Sequence, residues 1–129
     1  LGLANLKYID ATLNSRRSLY ERYIHNLRDV EKLGFQVFDP ESYNFSYMPI
    51  VCETSGLMES ISLALKQQSI YARRYFHPSL NKIPAIASSE PMPRAEELAS
   101  KILCLPLYET LSEELVDRVC EIIRTTVSS

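Results

Sequence analysis

Tryptophan is absent, and glycine occurs only three times and histidine twice among 129 residues. So little glycine excludes both a glycine-rich phosphate-binding loop and a collagen-like chain. The three cysteines, Cys52, Cys104 and Cys120, form no CxxC pair and have no histidine at ligand spacing, so the sequence offers no zinc site. Each stands among aliphatic residues and is expected as a reduced core cysteine of a cytoplasmic protein. No apolar run approaches the roughly 18 residues a membrane helix needs. A formal charge of -2 gives no electrostatic reason to expect a nucleic-acid partner. No serine or cysteine has a histidine and a carboxylate fixed near it by spacing, so a nucleophilic triad has no support.

What is present is an ordinary globular composition, 46% hydrophobic and 23% charged, in a length that suits one domain. The chain opens Leu1-Gly2-Leu3-Ala4-Asn5-Leu6, with no initiator methionine and no basic leader. That opening reads as mid-helix, which leads us to expect a piece of a longer protein.

Leu6, Ile9, Leu13, Tyr20, Tyr23, Ile24, Leu27 and Val30 recur at helical steps, predicting one long amphipathic helix that runs to Lys32 or Leu33. Gly34 would end it as a C-cap glycine. Phe35–Phe38 and Asn44–Cys52 read as strands, with Pro49 marking an edge or a bulge. Thr54 or Ser55 can cap a helix whose Leu57, Ile61, Ala64, Leu65 and Gln68 share a face. Ser69–Phe76 reads as a third strand, and the chain from His77 to Pro93 as a loop either functional or loosely held. Pro93 suits the first turn of a helix over Arg94–Leu103, followed by an extended piece, Cys104–Tyr108. Ser112 can cap the last helix, with Leu111 and Val116 as a hydrophobic staple and Leu115, Val119, Ile122 and Ile123 as its buried stripe. The predicted fold is α+β: a small antiparallel sheet of about three strands covered by helices, with a long N-terminal helix.

The densest chemistry lies at Arg73-Arg74-Tyr75-Phe76-His77-Pro78. On a strand, Arg73, Tyr75 and His77 would share one face and Arg74 and Phe76 the other. Two readings fit. The first set binds an anionic or hydroxylated ligand, or the arginines solvate a sheet edge while Tyr75 and Phe76 fill the core. His25, on the long helix, suits a structural or surface role. Glu96-Glu97 and Glu113-Glu114 fall in first helical turns, where they complement the helix dipole.

Four stretches, in order, resemble one family, the DegT/DnrJ/StrS type of pyridoxal-phosphate (PLP) nucleotide-sugar aminotransferase. They are Leu1–Asp10 with Arg16-Arg17 and Tyr20–Tyr23; Asn44–Val51; Gln68–Pro78; and Ala95–Ala99 with Cys104–Tyr108 and Leu111-Ser112. Ser69 stands where the family commonly has glycine. The arginine-rich third stretch looks closest to members that aminate dTDP-4-keto-6-deoxy sugars.

The resemblance implies a fold-type I enzyme whose large domain holds PLP on a lysine, the cofactor carrying an amino group from glutamate to a keto sugar. It further implies a homodimer in the cytoplasm, with the small domain adding one wall of the sugar-nucleotide site. Residues 1–129 would be that C-terminal small domain without the large PLP-binding domain. None of Lys7, Lys32, Lys66, Lys82 and Lys101 sits in a segment like the family's Schiff-base motif. The chain alone is therefore expected to bind no PLP and to be inactive, with no catalytic, cofactor-binding or metal residue of its own. Arg73, Tyr75 and His77 are the residues carried over as substrate contacts. The rival reading is a free-standing α+β dimerisation or regulatory module. A nucleic-acid-binding domain is suggested only by the arginines and aromatics at 73–76 beside a sheet, and net acidity opposes it.

Overall fold

The computed structural model describes residues 2–86 and 90–129. Its elements in chain order are α1 (Gly2–Leu6), α2 (Ile9–Leu27), β1 (Leu33–Phe35), β2 (Met48–Cys52), α3 (Ser55–Gln67), α4 (Pro93–Lys101), β3 (Ile102–Leu105) and α5 (Glu113–Ser128). The three strands form one antiparallel sheet in the order β1-β2-β3. The fold is thus the α+β arrangement expected.

The core lies between the sheet and α2, α3 and α5. Met48, Ile50 and Cys52 alternate along β2 toward that core, joined by Leu103 and Leu105 of β3. Tyr23 and Leu27 of α2, Ile61 and Leu65 of α3, and Val116, Val119 and Ile123 of α5 meet them, all without solvent exposure. Each such side chain contributes about 1.5–3 kcal/mol of burial. Arg22 of α2 clamps α5 through two guanidinium contacts to Asp117, at 2.8 and 2.7 Å.

Local chemistry fixes the helix ends. Thr54 Oγ1 accepts from the Leu57 amide at 3.1 Å, and Ser112 Oγ accepts from the Leu115 amide at 3.2 Å, so both expected caps form. Leu111 and Val116 are both buried, as a staple requires. At the end of α3, Ser69 adopts φ 59°. The Ile70 amide donates to the Leu65 carbonyl at 2.9 Å and the Ser69 amide to the Lys66 carbonyl at 2.9 Å. These two bonds define a Schellman motif with Ser69 at its left-handed position, with buried Ile70 and Leu65 closing it.

Several boundaries differ from the sequence-based expectation. The long helix is two helices separated by a turn at Lys7-Tyr8, and α2 stops at Leu27 rather than Lys32. Its expected residues Leu6 and Ile9 are exposed, and the first buried residue of α2 is Leu19. Leu1 lies outside the described residues. Gly34 caps no helix. It pairs with Val51 across β1 and β2, and no glycine adopts positive φ.

The first strand is Leu33–Phe35 instead of Phe35–Phe38. The second begins at Met48 because Phe45, at φ 51°, turns the chain there. β2 is the central strand, yet β1 pairing ends at Phe35–Ile50, so Pro49 has a strand partner only in β3, at Cys104.

The largest correction concerns the third strand. It is Ile102–Leu105, not Ser69–Phe76, and α4 ends at Lys101 to admit it. All four β3 residues are buried, Leu103 and Leu105 toward the helices and Ile102 and Cys104 on the opposite side. A strand covered on both faces reads as a continuous apolar run, without the alternation that separates strand from helix. In the expected loop, Leu80–Lys82 forms a 3-10 turn, and the Asn81 amide donates to Glu96 Oε1 of α4 at 2.7 Å. Residues 87–89 of that loop lie outside the described residues.

Candidate functional site: a tyrosine-lined cavity at the free edge of the third strand

The segment expected to be a strand instead makes a single antiparallel bridge, Arg73 with Cys104. The chain then turns at Tyr75-Phe76 and passes a cis peptide between His77 and Pro78. Beside the bridge opens a cavity of about 250 Å³. Its walls are Ser46-Tyr47, the 71–75 segment through Tyr71, Arg73 and Tyr75, and the run from Cys104 to Tyr108.

Arg73 and Tyr75 are brought together as expected, the guanidinium carbon lying 5.7 Å from the Tyr75 ring centroid. Tyr75 in turn meets the edge of Tyr47 at 5.1 Å, and Tyr47 meets Phe76 at 5.8 Å. His77 does not line the cavity; it sits on exposed chain beyond the turn. Tyr75 and Phe76 are about half exposed, so they do not fill the core, and the edge-solvation reading fails on that point. Arg74 is the more buried arginine, with one guanidinium nitrogen 3.5 Å from the Ala99 carbonyl.

Sequence reasoning missed Tyr47, Tyr71 and Tyr108. They come from three separate segments, and only the Arg73–Cys104 bridge and the sheet register bring them to one place. A high tyrosine count, eight in 129 residues, was the available signal.

The cavity walls are tethered from below. Tyr43 donates its hydroxyl to the Tyr47 carbonyl at 2.9 Å, and fully buried Tyr23 donates to the Pro106 carbonyl at 2.9 Å. Burial pushes the Tyr20 phenol up to about 12 and the Tyr23 phenol up further, so both remain neutral hydroxyls. Burial likewise raises the Cys104 thiol to about 11, which leaves the one sulfur on the cavity wall protonated at neutral pH. The site therefore holds four partly exposed phenols and one permanent cation, with no activated nucleophile. Such side chains are chemically able to stack on flat rings, hydrogen-bond hydroxyls and pair with phosphate.

His25 lies exposed on α2 beside Arg17, Glu21 and Arg28, away from this cavity's lining. Cys52, Cys104 and Cys120 are buried and unbridged. Among the described residues, no group of three or more His, Cys, Asp or Glu is placed to hold a metal, and no helix is long and apolar enough to cross a membrane.

Residues 1–124 match the DegT/DnrJ/EryC1/StrS aminotransferase family. The chain belongs to that family. It is 32% identical over 129 residues to a dTDP-4-amino-4,6-dideoxy-D-glucose transaminase of Shigella dysenteriae, covering 95% of this chain and 35% of that protein. A protein of the same name from Escherichia coli is 30% identical over 132 residues, again covering 95% and 35%. The aminotransferase TlmJ of Streptoalloteichus hindustanus superposes with a TM-score of 0.89 at 22% identity, over 98% of this chain and 35% of that one. That structural likeness speaks to fold alone. The chain spans about a third of the length of the relatives it matches.

Proposed function

We propose that this chain is the C-terminal small domain of a PLP-dependent aminotransferase that moves an amino group from glutamate to a nucleotide-linked keto-deoxy sugar, a dTDP-4-keto-6-deoxyhexose. In that exchange the sugar's C=O becomes C–NH₂ while glutamate becomes 2-oxoglutarate. The part assigned to residues 1–129 is one wall of the nucleotide-sugar site. Arg73 and Tyr75 are the contacts inside the cavity, and His77 is a contact outside it for a longer ligand. Arg73 supplies a charge-assisted bond to a phosphate, and the tyrosines supply ring faces and hydroxyls for base and sugar.

The observation that carries this reading is the meeting of Arg73 and Tyr75 with Tyr47, Tyr71 and Tyr108 around one cavity, in a chain whose family transfers amino groups. The printed names of the Shigella and Escherichia relatives support a dTDP-linked amino-sugar product.

PLP would supply the electron sink and carry the amino group. The lysines of this chain do not fit its attachment. Lys82 pairs with Glu96 at 3.3 Å and Lys101 with Glu97 at 2.6 Å. Lys7, Lys32 and Lys66 are exposed, and none of the lysines lines the tyrosine cavity. A Schiff-base lysine is instead activated in a desolvated or cation-flanked site. These surroundings support reading the cofactor as held by a further domain, with the chain alone inactive. Leu3, Leu6, Tyr8 and Ile9, all exposed on α1 and the start of α2, support contact with such a domain. The full enzyme is read as a cytoplasmic homodimer.

Two measurements test this. The full-length enzyme, given glutamate and dTDP-4-keto-6-deoxyglucose, is expected to form the amino sugar; no transfer would remove the assigned reaction. Residues 1–129 alone, mixed with PLP and reduced with borohydride, are expected to show only scattered, substoichiometric labelling of exposed amines, with no single stoichiometric site. Stoichiometric labelling of the short chain would contradict the assignment of the cofactor to another domain.

A further inference from the structure

The Pro106–Tyr108 wall of the cavity, which runs on into Glu109, has no ladder to hold it. β3 ends at Leu105, and the chain is irregular until α5 begins at Glu113. Its backbone must find partners elsewhere, and one helix supplies two of them together with a third contact to a side chain. Tyr23 of α2 donates to the Pro106 carbonyl at 2.9 Å, and Ser15 Oγ donates to the Glu109 carbonyl at 2.8 Å. Thr12 Oγ1 donates to the Glu109 carboxylate. Thr12 and Tyr23 are separated by about 16 Å along the helix, at 1.5 Å per residue. Tyr108, the phenol on this wall, lies in sequence between the two anchored carbonyls.

We infer that α2 is the positioning element for the Tyr108 wall, with Thr12 and Ser15 as positioning residues that set where Tyr108 stands in the cavity. The inference rests on the reading of that cavity as the nucleotide-sugar site. Thr12 and Ser15 touch no cavity space themselves. They act through Glu109, next to Tyr108. The arrangement also ties the wall to the stretch of α2 that follows exposed Tyr8 and Ile9, so a shift of that helix end moves the wall with it.

The test uses the full-length enzyme with Thr12→Val and Ser15→Ala, singly and combined, and Thr12→Ser as the conservative rescue. Both side chains are only partly buried, so the fold should hold, with Tm within about 2 °C of the parent. Two lost hydrogen bonds, one to a charged acceptor, should raise KM for the nucleotide sugar about threefold to tenfold in the double variant. The KM for glutamate and kcat should stay unchanged, and Thr12→Ser should restore the Thr12→Val share. A nucleotide-sugar KM that stays at the parental value, while Arg73→Ala raises it, overturns the positioning role and leaves the site reading standing. A rise of both KM values together also overturns it. If Arg73→Ala and Tyr75→Ala themselves leave KM unchanged, the site reading fails and this inference falls with it.

Discussion

The Arg73 amide donates to the Cys104 carbonyl at 2.9 Å, and the Cys104 amide donates back to the Arg73 carbonyl at 2.8 Å. This one exchanged pair fastens an otherwise irregular segment to the free edge of the sheet and holds the Arg73 side chain over the cavity. A cation on a loose loop would lose ordering entropy on each binding event; one on a bridged backbone has already lost it.

The bridge has a direct signature in amide exchange. The Arg73 and Cys104 amides are expected to exchange slowly and together, in line with the β2–β3 pair, although residue 73 belongs to no strand. Exchange at Arg73 as fast as at an exposed loop amide would show the bridge open in solution.

The Schellman turn after α3 carries a cost that glycine would remove. Ser69 occupies the left-handed position, φ 59°, where a side chain costs roughly 1–2 kcal/mol and glycine has no such penalty. Because glycine also loses more freedom on folding, Ser69→Gly is expected to stabilise by about 0.5–1 kcal/mol in urea denaturation. A loss of stability would mean that Ser69 contributes a contact outweighing its backbone strain.

How much was legible follows from whether a signal was local. Thr54 and Ser112 announced their helices because a capping hydroxyl acts within three residues. The glycine position at Ser69 was visible as a pattern, and the motif's geometry supplies its reason. β3 was read only as an extended piece from Cys104, because Ile102-Leu103-Cys104-Leu105 follows α4 without a break and burial on both faces erased its period. The strand read at 69–76 does not form beyond the Arg73–Cys104 bridge. Arg73 and Tyr75 still meet at one cavity, because cation and aromatic density along the chain does not depend on the element carrying it. Tyr47 and Tyr108 were not legible, since only tertiary pairing makes them neighbours of Tyr75.

Acid should loosen the α2–α5 clamp. The Asp117 carboxyl is held below its ordinary value of 3.8, first by the Arg22 hydrogen bonds, with Asn26 and the Arg22 charge adding to them. A carboxylate with a depressed folded value stabilises fully above its unfolded value, and that contribution disappears as pH falls through the lower one. Asp117→Asn should therefore be less stable than the parent at about pH 7, with the gap closing toward about pH 2. A pH-independent gap would assign the effect to packing.

Burial raises the Cys52, Cys104 and Cys120 thiols to about 11. Buried and protonated at pH 8, they should react with iodoacetamide only after the chain unfolds. Rapid labelling of native Cys104 would mean that the cavity floor is open or its thiolate stabilised.

The central claim is that the tyrosine cavity meets the nucleotide sugar, and steady-state kinetics of Arg73→Ala and Tyr75→Ala in the full-length enzyme test it most directly. Loss of a charge-assisted bond at Arg73 is worth about 1.5–3 kcal/mol, so KM for the dTDP-keto sugar should rise roughly 10- to 100-fold, with KM for glutamate unchanged. Parental KM for the sugar in both folded variants would contradict the claim.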